Sequence, residues 1–256
     1  PKHPMPNDTT RTQSVVWDLN HNRVLAFSGK HVQSRMDLRE PDALQLEYTR
    51  IMMAFLLHVP ALRAIAMVGL GGGSLPKFCH RHLPHAHVTV IEIDADVIAT
   101  RDAFAVPPDG SRFCVHHADA ADFMQHCEAE FDVILVDGFD QHGLSPQLAT
   151  AEFFQDCKKA LTPRGMLVVN LHGCDSRYET VFNQIQQTFD GYAMDVTCSK
   201  SSNRIAFASS PDSQAWSHLA RIERPMGFDL HAWKTLMPSL WRVAFQARQM
   251  PMHTHK

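Results

Sequence analysis

The chain lacks any apolar run long enough to cross a membrane. Its longest uninterrupted apolar stretch is "IMMAFLL", residues 51–57, whereas a membrane-spanning helix needs about 20 apolar residues. The first residues, "PKHPMPNDTTRTQ", also lack the apolar core of a signal peptide. We therefore expect no association with a membrane and a cytoplasmic location.

The sequence also lacks a basic block and a close pair of cysteines. With 24 Lys and Arg against 27 Asp and Glu, its net charge is −3, which disfavours nucleic acid as a partner. Its 6 cysteines form no C-x-x-C pair, so they predict reduced thiols rather than a zinc or redox site. Although the chain has 17 histidines, His80 and His82 would point to different sides of a helix. We expect no metal site.

The amino-terminal part predicts a small antiparallel unit. Strand-like runs at 15–17, 24–27 and 32–36 are separated by short polar turns. An amphipathic helix is then predicted to begin at Pro41 and Asp42. We expect residues 1–40 to form an arm and this β unit, and residues 41–256 to form the main domain.

The main domain shows alternating strand and helix patterns. Apolar strands alternating with helices predict a parallel sheet that is covered on both faces. Two last strands joined by "SKSSN" predict an antiparallel hairpin at the edge of the sheet. The fold class is therefore α/β, a Rossmann-like sheet of the class I methyltransferase type. The predicted strands are 64–68, 87–91, 113–117, 131–136, 165–171, 192–198 and 204–209, and the predicted helices are 74–82, 95–104, 119–127, 151–161, 175–188 and a helical tail at 211–248.

A glycine-rich loop follows the first strand of this domain. In "VGLGGGSL" the glycines Gly69, Gly71 and Gly73 alternate with other residues and precede a helix, so a ligand can lie against the backbone. Glu92 ends the next strand, where an acidic side chain can accept hydrogen bonds from both hydroxyls of a ribose. A nucleoside or nucleotide ligand is predicted, and the glycine spacing alone leaves a dinucleotide open.

Further acidic residues follow the next strands. Asp119 and Ala120 come after the third strand of this domain, and Asp137 and Asp140 after the fourth. Ligands bind at such strand ends in open α/β sheets. With Glu92, these carboxylates would ring one crevice, which suits a cationic ligand better than a pyrophosphate. Taken singly, Asp119 could be only a helix cap and Asp140 only a turn residue.

These motifs together resemble the polyamine aminopropyltransferases, the spermidine synthase family. The resemblance runs over about residues 13–209 and includes "VQS", the glycine loop, "EID", "DA" and a D-x-x-D-x-x-G loop that ends at Gly143. It implies that Gln33 and Glu92 contact a nucleoside, and that Asp119 and Ala120 contact its adenine.

The same resemblance implies the chemistry. Asp137 would be the general base that takes a proton from the attacking amine, and Asp140 would hold that amine. Tyr48 would be the residue retained from a Tyr-His-Glu motif. The implied reaction moves an aminopropyl group from decarboxylated S-adenosylmethionine to a polyamine acceptor. We expect no permanently bound cofactor, and we expect the chain to form a homodimer.

The sequence departs from the family pattern in the glycine loop. The family has GGGDGG, whose Asp holds the ammonium of the donor, and Gly72 stands in its place here. Arg50 stands where the Tyr-His-Glu motif has Glu, and Gln141 where the family has Pro. These departures leave open a transferase that uses S-adenosylmethionine itself, for methyl or aminocarboxypropyl transfer, and a catalytically silent family member.

Overall fold

The computed structural model describes residues 14–27, 31–59, 62–140, 143–213 and 215–250. Its first part is a three-stranded antiparallel sheet of β1 (Ser14–Leu19), β2 (Asn22–Phe27) and β3 (His31–Asp37). Asn20 and His21 turn the chain between β1 and β2 with positive φ angles of 47° and 65°, as short hairpin turns require. The predicted antiparallel unit is confirmed.

The helix predicted to begin at Pro41 begins later. The α-helix α1 covers only Glu47–Met52, and a 3-10 helix continues it over Met53–Leu57. Before α1 the chain turns, and the amide of Ala43 donates to the carbonyl of Glu40 at 3.0 Å. The apolar spacing of the predicted helix is therefore realised only in its second half.

The main domain contains a seven-stranded sheet. Its strands are β4 (Ala64–Val68), β5 (His87–Glu92), β6 (Phe113–His117), β7 (Phe131–Val136), β10 (Leu161–His172), β11 (Ala193–Thr197) and β12 (Asn203–Ser209), and the two-residue strands β8 (Phe139–Asp140) and β9 (Gly143–Leu144) form a separate pair. The strand order in the sheet is β11-β12-β10-β7-β4-β5-β6. Strands β4, β5, β6, β7 and β10 run parallel, β12 pairs antiparallel with β10, and β11 pairs antiparallel with β12. This arrangement confirms the predicted fold class.

The helices between the strands lie close to their predicted positions, with two differences. The helix predicted at 95–104 ends at Ala99, and the tail is interrupted between Leu219 and Leu230. This interruption contains Pro225 and Gly227, whose φ is 78°, and both residues disfavour a continuing helix. The helices are α2 (Ser74–His82), α3 (Ala95–Ala99), α4 (Ala120–Gln125), α5 (Ala151–Ala160), α6 (Tyr178–Thr188), α7 (Ala215–Leu219) and α8 (Leu230–Ala247).

Both faces of the main sheet are buried. Along β4, Ile65 and Met67 belong to one hydrophobic core, while Ala66 and Val68 belong to the core on the other face. Helices α2 and α8 cover the first face, and α4, α5 and α6 cover the second. This burial explains why the central strands are apolar without alternation.

The strand order places a crevice beside β4. From β4 the chain moves outward through β5 and β6, and it then returns to place β7 on the other side of β4. The loops that follow β4 and β7 therefore diverge at the carboxyl edge of the sheet, where α/β proteins bind ligands. Among the described residues, no helix combines the length and apolar character needed to cross a bilayer.

Candidate active site

Two adjoining cavities open at this edge of the sheet. The first, which we call the Glu92 cavity, has a volume of about 310 Å³ and is also lined by Gly69, Asp119 and Ala120. The second, the Arg50 cavity, has a volume of about 530 Å³ and lies between β3, α1 and the β11–β12 loop. Asp137 lines both cavities.

The glycine loop brings the ends of β4 and β7 together. Gly69 has φ of 93°, and a Cβ added there would lie 2.5 Å from the carbonyl oxygen of Asp137. A side chain at this position would therefore push the loop away from Asp137. Gly71 lines both cavities, and Gly73 precedes the first residue of α2.

Glu92 holds the glycine loop from the side of β5. One carboxylate oxygen accepts from the amide of Leu70 at 2.7 Å, and the other from the amide of Asp94 at 2.9 Å. Burial raises the pKa of Glu92 above its ordinary value, and these amides oppose that rise. Since each oxygen has a second lone pair, the carboxylate can still accept hydrogen bonds from a ligand in the cavity.

Asp119 caps helix α4. Its Oδ1 accepts from the amide of Ala121 at 2.8 Å, so Asp119 is a helix cap. Asp119 and Ala120 also line the Glu92 cavity. The capping role and a ligand contact are compatible, because the cap uses only one of the two carboxylate oxygens.

Asp137 follows β7 and has a hydrogen-bond donor on each oxygen. Its Oδ2 accepts from the hydroxyl of Tyr48 at 3.0 Å, and its Oδ1 from the side-chain amide of Asn170 at 2.8 Å. Burial raises the pKa of Asp137 to about 6, against the opposing effect of these two hydrogen bonds. Burial and the neighbouring Asp137 carboxylate raise the pKa of Tyr48 well above its ordinary value, so this hydroxyl stays a donor.

Asn170 is a residue that the sequence analysis missed. It lies in β10 and is buried, and its Oδ1 accepts from the side chain of Asn203 at 2.9 Å. That contact fixes the amide so that its NH2 group faces Asp137. The available signal was a polar residue in the otherwise apolar strand "GMLVVNL".

Two of the predicted site residues, Gln33 and Asp140, are described by their backbone positions. The backbone of Gln33 lies in β3, and that of Asp140 lies in β8, where it pairs with Gly143. The side chains of both residues fall outside the part of the chain that the structure describes. Their roles remain predictions.

Charged side chains line the Arg50 cavity. Arg35 and Lys200 are exposed along its wall, and Arg50 donates to the carbonyl of Leu44 at 2.6 Å. The acidic Glu47 also lines this cavity. Gly72 lies here too, and a Cβ added to it would be 2.5 Å from Oγ of Ser34.

The histidine tract packs against aromatic rings. His80 contacts Phe113 with ring centroids 5.4 Å apart, and His82 contacts Phe78 at 4.5 Å. Within the described ranges, no cluster of three or more His, Cys, Asp or Glu side chains is arranged to hold a metal ion.

The fold and site together define a class of protein. A doubly wound sheet with a glycine loop after β4 and carboxylates after β5, β6 and β7 is typical of proteins that bind a nucleotide or nucleoside at this edge of the sheet. The sequence model of the spermine/spermidine synthase domain matches residues 46–206. The chain therefore belongs to this family, as its motifs predicted.

Relatives and solved structures agree with this assignment. The chain is 37% identical over 202 residues to a polyamine aminopropyltransferase from Chromobacterium violaceum, covering 78% of this chain and 77% of the relative. It is 35% identical over 217 residues to a polyamine aminopropyltransferase from Neisseria meningitidis, covering 82% of each. The crystal structure of a probable spermidine synthase from Corynebacterium glutamicum covers 96% of both chains with a TM-score of 0.68 and 20% identity, which supports the fold.

Proposed function

We propose that the chain is an aminopropyltransferase, which moves an aminopropyl group from decarboxylated S-adenosylmethionine to an amine. The observation that carries this proposal is the position of Asp137 at the junction of the two cavities. The relatives in Chromobacterium and Neisseria bear the name of this activity. Both substrates are consumed in each turnover, so no permanently bound cofactor is required.

The nucleoside of the donor would occupy the Glu92 cavity. Glu92 would accept hydrogen bonds from the ribose hydroxyls, and Asp119 with Ala120 would contact the adenine. The glycine loop of Gly69, Gly71 and Gly73 leaves room for the ligand to approach the backbone. The sulfonium group would then lie toward Gly71, which lines both cavities.

The amine would enter through the Arg50 cavity. An ammonium group cannot attack until it loses a proton, and the Asp137 carboxylate would accept that proton. The nitrogen lone pair then forms a bond to the aminopropyl carbon attached to sulfur. The carbon–sulfur bond breaks, its electron pair returns to sulfur, and neutral methylthioadenosine leaves. Tyr48 would hold the carboxylate in place, and Asp140 would hold the acceptor.

A transfer assay tests this function. Purified protein is incubated with decarboxylated S-adenosylmethionine or S-adenosylmethionine, each with an amine mixture, and methylthioadenosine and S-adenosylhomocysteine are measured. Release of methylthioadenosine with an aminopropylated amine is expected from the decarboxylated donor. Release of S-adenosylhomocysteine alone would show methyl transfer, and no product despite methylthioadenosine binding would show a silent family member.

Three further expectations belong to this proposal: a homodimer, a cytoplasmic location and a division of the chain at residue 40. The homodimer would use the β1–β3 sheet, on which Val15, Val16 and Leu19 are substantially exposed, and light scattering of the purified protein measures the oligomeric state. The cytoplasmic location and the division at residue 40 stay predictions from the sequence.

A further inference from the structure

Among the side chains that the structure describes, the walls of the Arg50 cavity carry more positive than negative charges. Three cationic side chains line it, those of Arg35, Arg50 and Lys200. Among the described side chains, the only carboxylates on its wall are Glu47 and Asp137. A polyamine entering this cavity would therefore meet several like charges, which disfavours its binding.

The Glu47 carboxylate is already occupied by donors from the protein. It accepts from the amides of Ser199 and Lys200, each at 2.9 Å, and from the hydroxyl of Ser199 at 2.7 Å. It also pairs with Arg242 at 2.7 Å. These contacts leave little capacity on Glu47 for an ammonium group of a substrate.

By contrast, the cationic groups are available. Arg35 has no hydrogen-bond partner among the described residues, and Arg50 is bound only to the neutral carbonyl of Leu44. A guanidinium group with free N–H donors matches the two oxygens of a carboxylate.

The glycine loop cannot supply an additional acid to this wall. A Cβ at position 72 would lie 2.8 Å from Cβ of Ser34 and 3.0 Å from the Phe104 ring, in addition to its contact with the Ser34 hydroxyl. Any side chain at Gly72 must displace β3. The packing of the loop against β3 therefore keeps this position without an acidic side chain.

We propose that the Arg50 cavity binds a substrate carboxylate, and that this carboxylate belongs to the acceptor, which is an amino acid with a side-chain amine rather than a polyamine. This inference rests on the proposed function, in which the donor nucleoside fills the Glu92 cavity and leaves the larger cavity to the acceptor. The amine of the acceptor faces Asp137, and its carboxylate faces Arg35 and Arg50.

The first test compares two acceptors that differ by one carboxylate. Ornithine is putrescine with an added carboxylate, so the pair isolates this group. Both are titrated calorimetrically into the protein alone and into the protein saturated with methylthioadenosine. We expect ornithine to bind about tenfold or more tightly than putrescine, the effect of one charge-assisted hydrogen bond or more.

Variants of the two arginines locate the carboxylate. Arg50→Gln and Arg35→Gln are each expected to weaken ornithine binding by about tenfold. Putrescine should bind more tightly to both variants because a like charge is removed, and methylthioadenosine binding should be unchanged. Arg35→Gln removes no described hydrogen bond within the protein, so it reports on the cavity if Arg50→Gln fails to fold. Arg81→Gln, on the exposed end of α2, makes the same charge change away from both cavities and is expected to have no effect.

The donor with and without its carboxylate tests whether the bound carboxylate belongs to the donor rather than to the acceptor. S-adenosylmethionine and its decarboxylated form are titrated into the same variants. If the arginine substitutions weaken binding of S-adenosylmethionine and not of ornithine, the carboxylate belongs to the donor, and the proposal is overturned. Tighter binding of putrescine than ornithine by the unsubstituted protein overturns it as well. Failure of methylthioadenosine to bind contradicts the proposed function instead, and the acceptor pair then still decides the charge preference of the cavity.

Discussion

At the scale of single residues, Asp137 is the group whose surroundings bear most directly on chemistry. Burial raises its pKa to about 6, and the donors Asn170 and Tyr48 stabilise its charged form. A carboxylate with this pKa is mostly deprotonated at neutral pH and is a stronger base than an exposed one. Both properties suit the acceptance of a proton from an amine.

We expect the rate of transfer to depend on the ionisation of Asp137. With one amine acceptor throughout, kcat/KM should rise with pH through an apparent pKa near 6, because only the deprotonated carboxylate accepts a proton. Asp137→Asn should lower kcat by about 10²–10⁴-fold. Methylthioadenosine binding, measured by calorimetry, should be retained in this variant.

Tyr48→Phe should move the same pH profile to higher pH. The variant removes a hydrogen bond that favours the charged carboxylate, so the pKa of Asp137 rises by about 1–2 units. Tyr178→Phe is a matched control, because its hydroxyl donates to Asp195 at 2.9 Å outside both cavities. An unshifted profile in Tyr48→Phe would contradict a role of Asp137 as the titrating base.

At the scale of elements, the glycine loop and β3 fit closely together. Ser34 of β3 is buried, and its hydroxyl oxygen lies 3.4 Å from that of Ser74 at the start of α2. Gly72 has no room for a Cβ because of Ser34. The departure from the family loop is therefore matched by the packing of a neighbouring element.

Gly72→Asp should destabilise the protein and should not improve binding of decarboxylated S-adenosylmethionine. The new side chain overlaps Ser34, and overpacking of this kind costs about 1–3 kcal/mol. The melting temperature should fall by about 2–4 °C for each kcal/mol. Gly110→Asp is the control, because a Cβ there meets no atom within 4 Å, and its stability should change by less than about 0.5 kcal/mol. Unchanged stability of Gly72→Asp would show that β3 can shift to accommodate the side chain without a measurable cost, which would contradict the close packing.

The scale of elements also separates what the sequence predicted well from what it missed. The strands of the main sheet were predicted closely because each is a short apolar run buried on both faces. The predictions of a helix that begins at Pro41 and of a continuous helical tail were wrong. Apolar spacing shows which face of a segment is buried, but local turns, as at Ala43 and Gly227, decide where a helix begins or breaks.

At the scale of the whole molecule, Glu47 joins segments that are far apart in the chain. It lies at the start of α1, binds the loop between β11 and β12 through Ser199 and Lys200, and pairs with Arg242 of α8. These contacts lower the pKa of Glu47, although burial opposes them. The wall of the Arg50 cavity therefore depends on the packing of the carboxyl-terminal helix.

Glu47→Gln should destabilise the fold by about 1–3 kcal/mol, because it leaves charged and backbone donors poorly paired. Since the pKa of Glu47 is lower in the folded state, its contribution is present above the unfolded pKa and is lost as the pH falls below it. Urea unfolding at pH 7 and at pH 4 measures both effects, and the difference between the variant and the unsubstituted protein should shrink at pH 4. Glu130→Gln, an exposed position, is the control, and an equal effect of the two substitutions would contradict this role.

The sequence by itself determined the α/β class, the strand positions, the family and the placement of Glu92, Asp119 and Asp137 at strand ends, because apolar periodicity and motif spacing are local properties of the chain. The tertiary structure alone decided that Asp137 lines two cavities and that Asn170 from β10 and Tyr48 from α1 donate to it. It also brought Arg35 and Lys200 to the wall beside Arg50. Contacts between residues separated by dozens of positions depend on how strands and helices pack, and no local pattern encodes that packing.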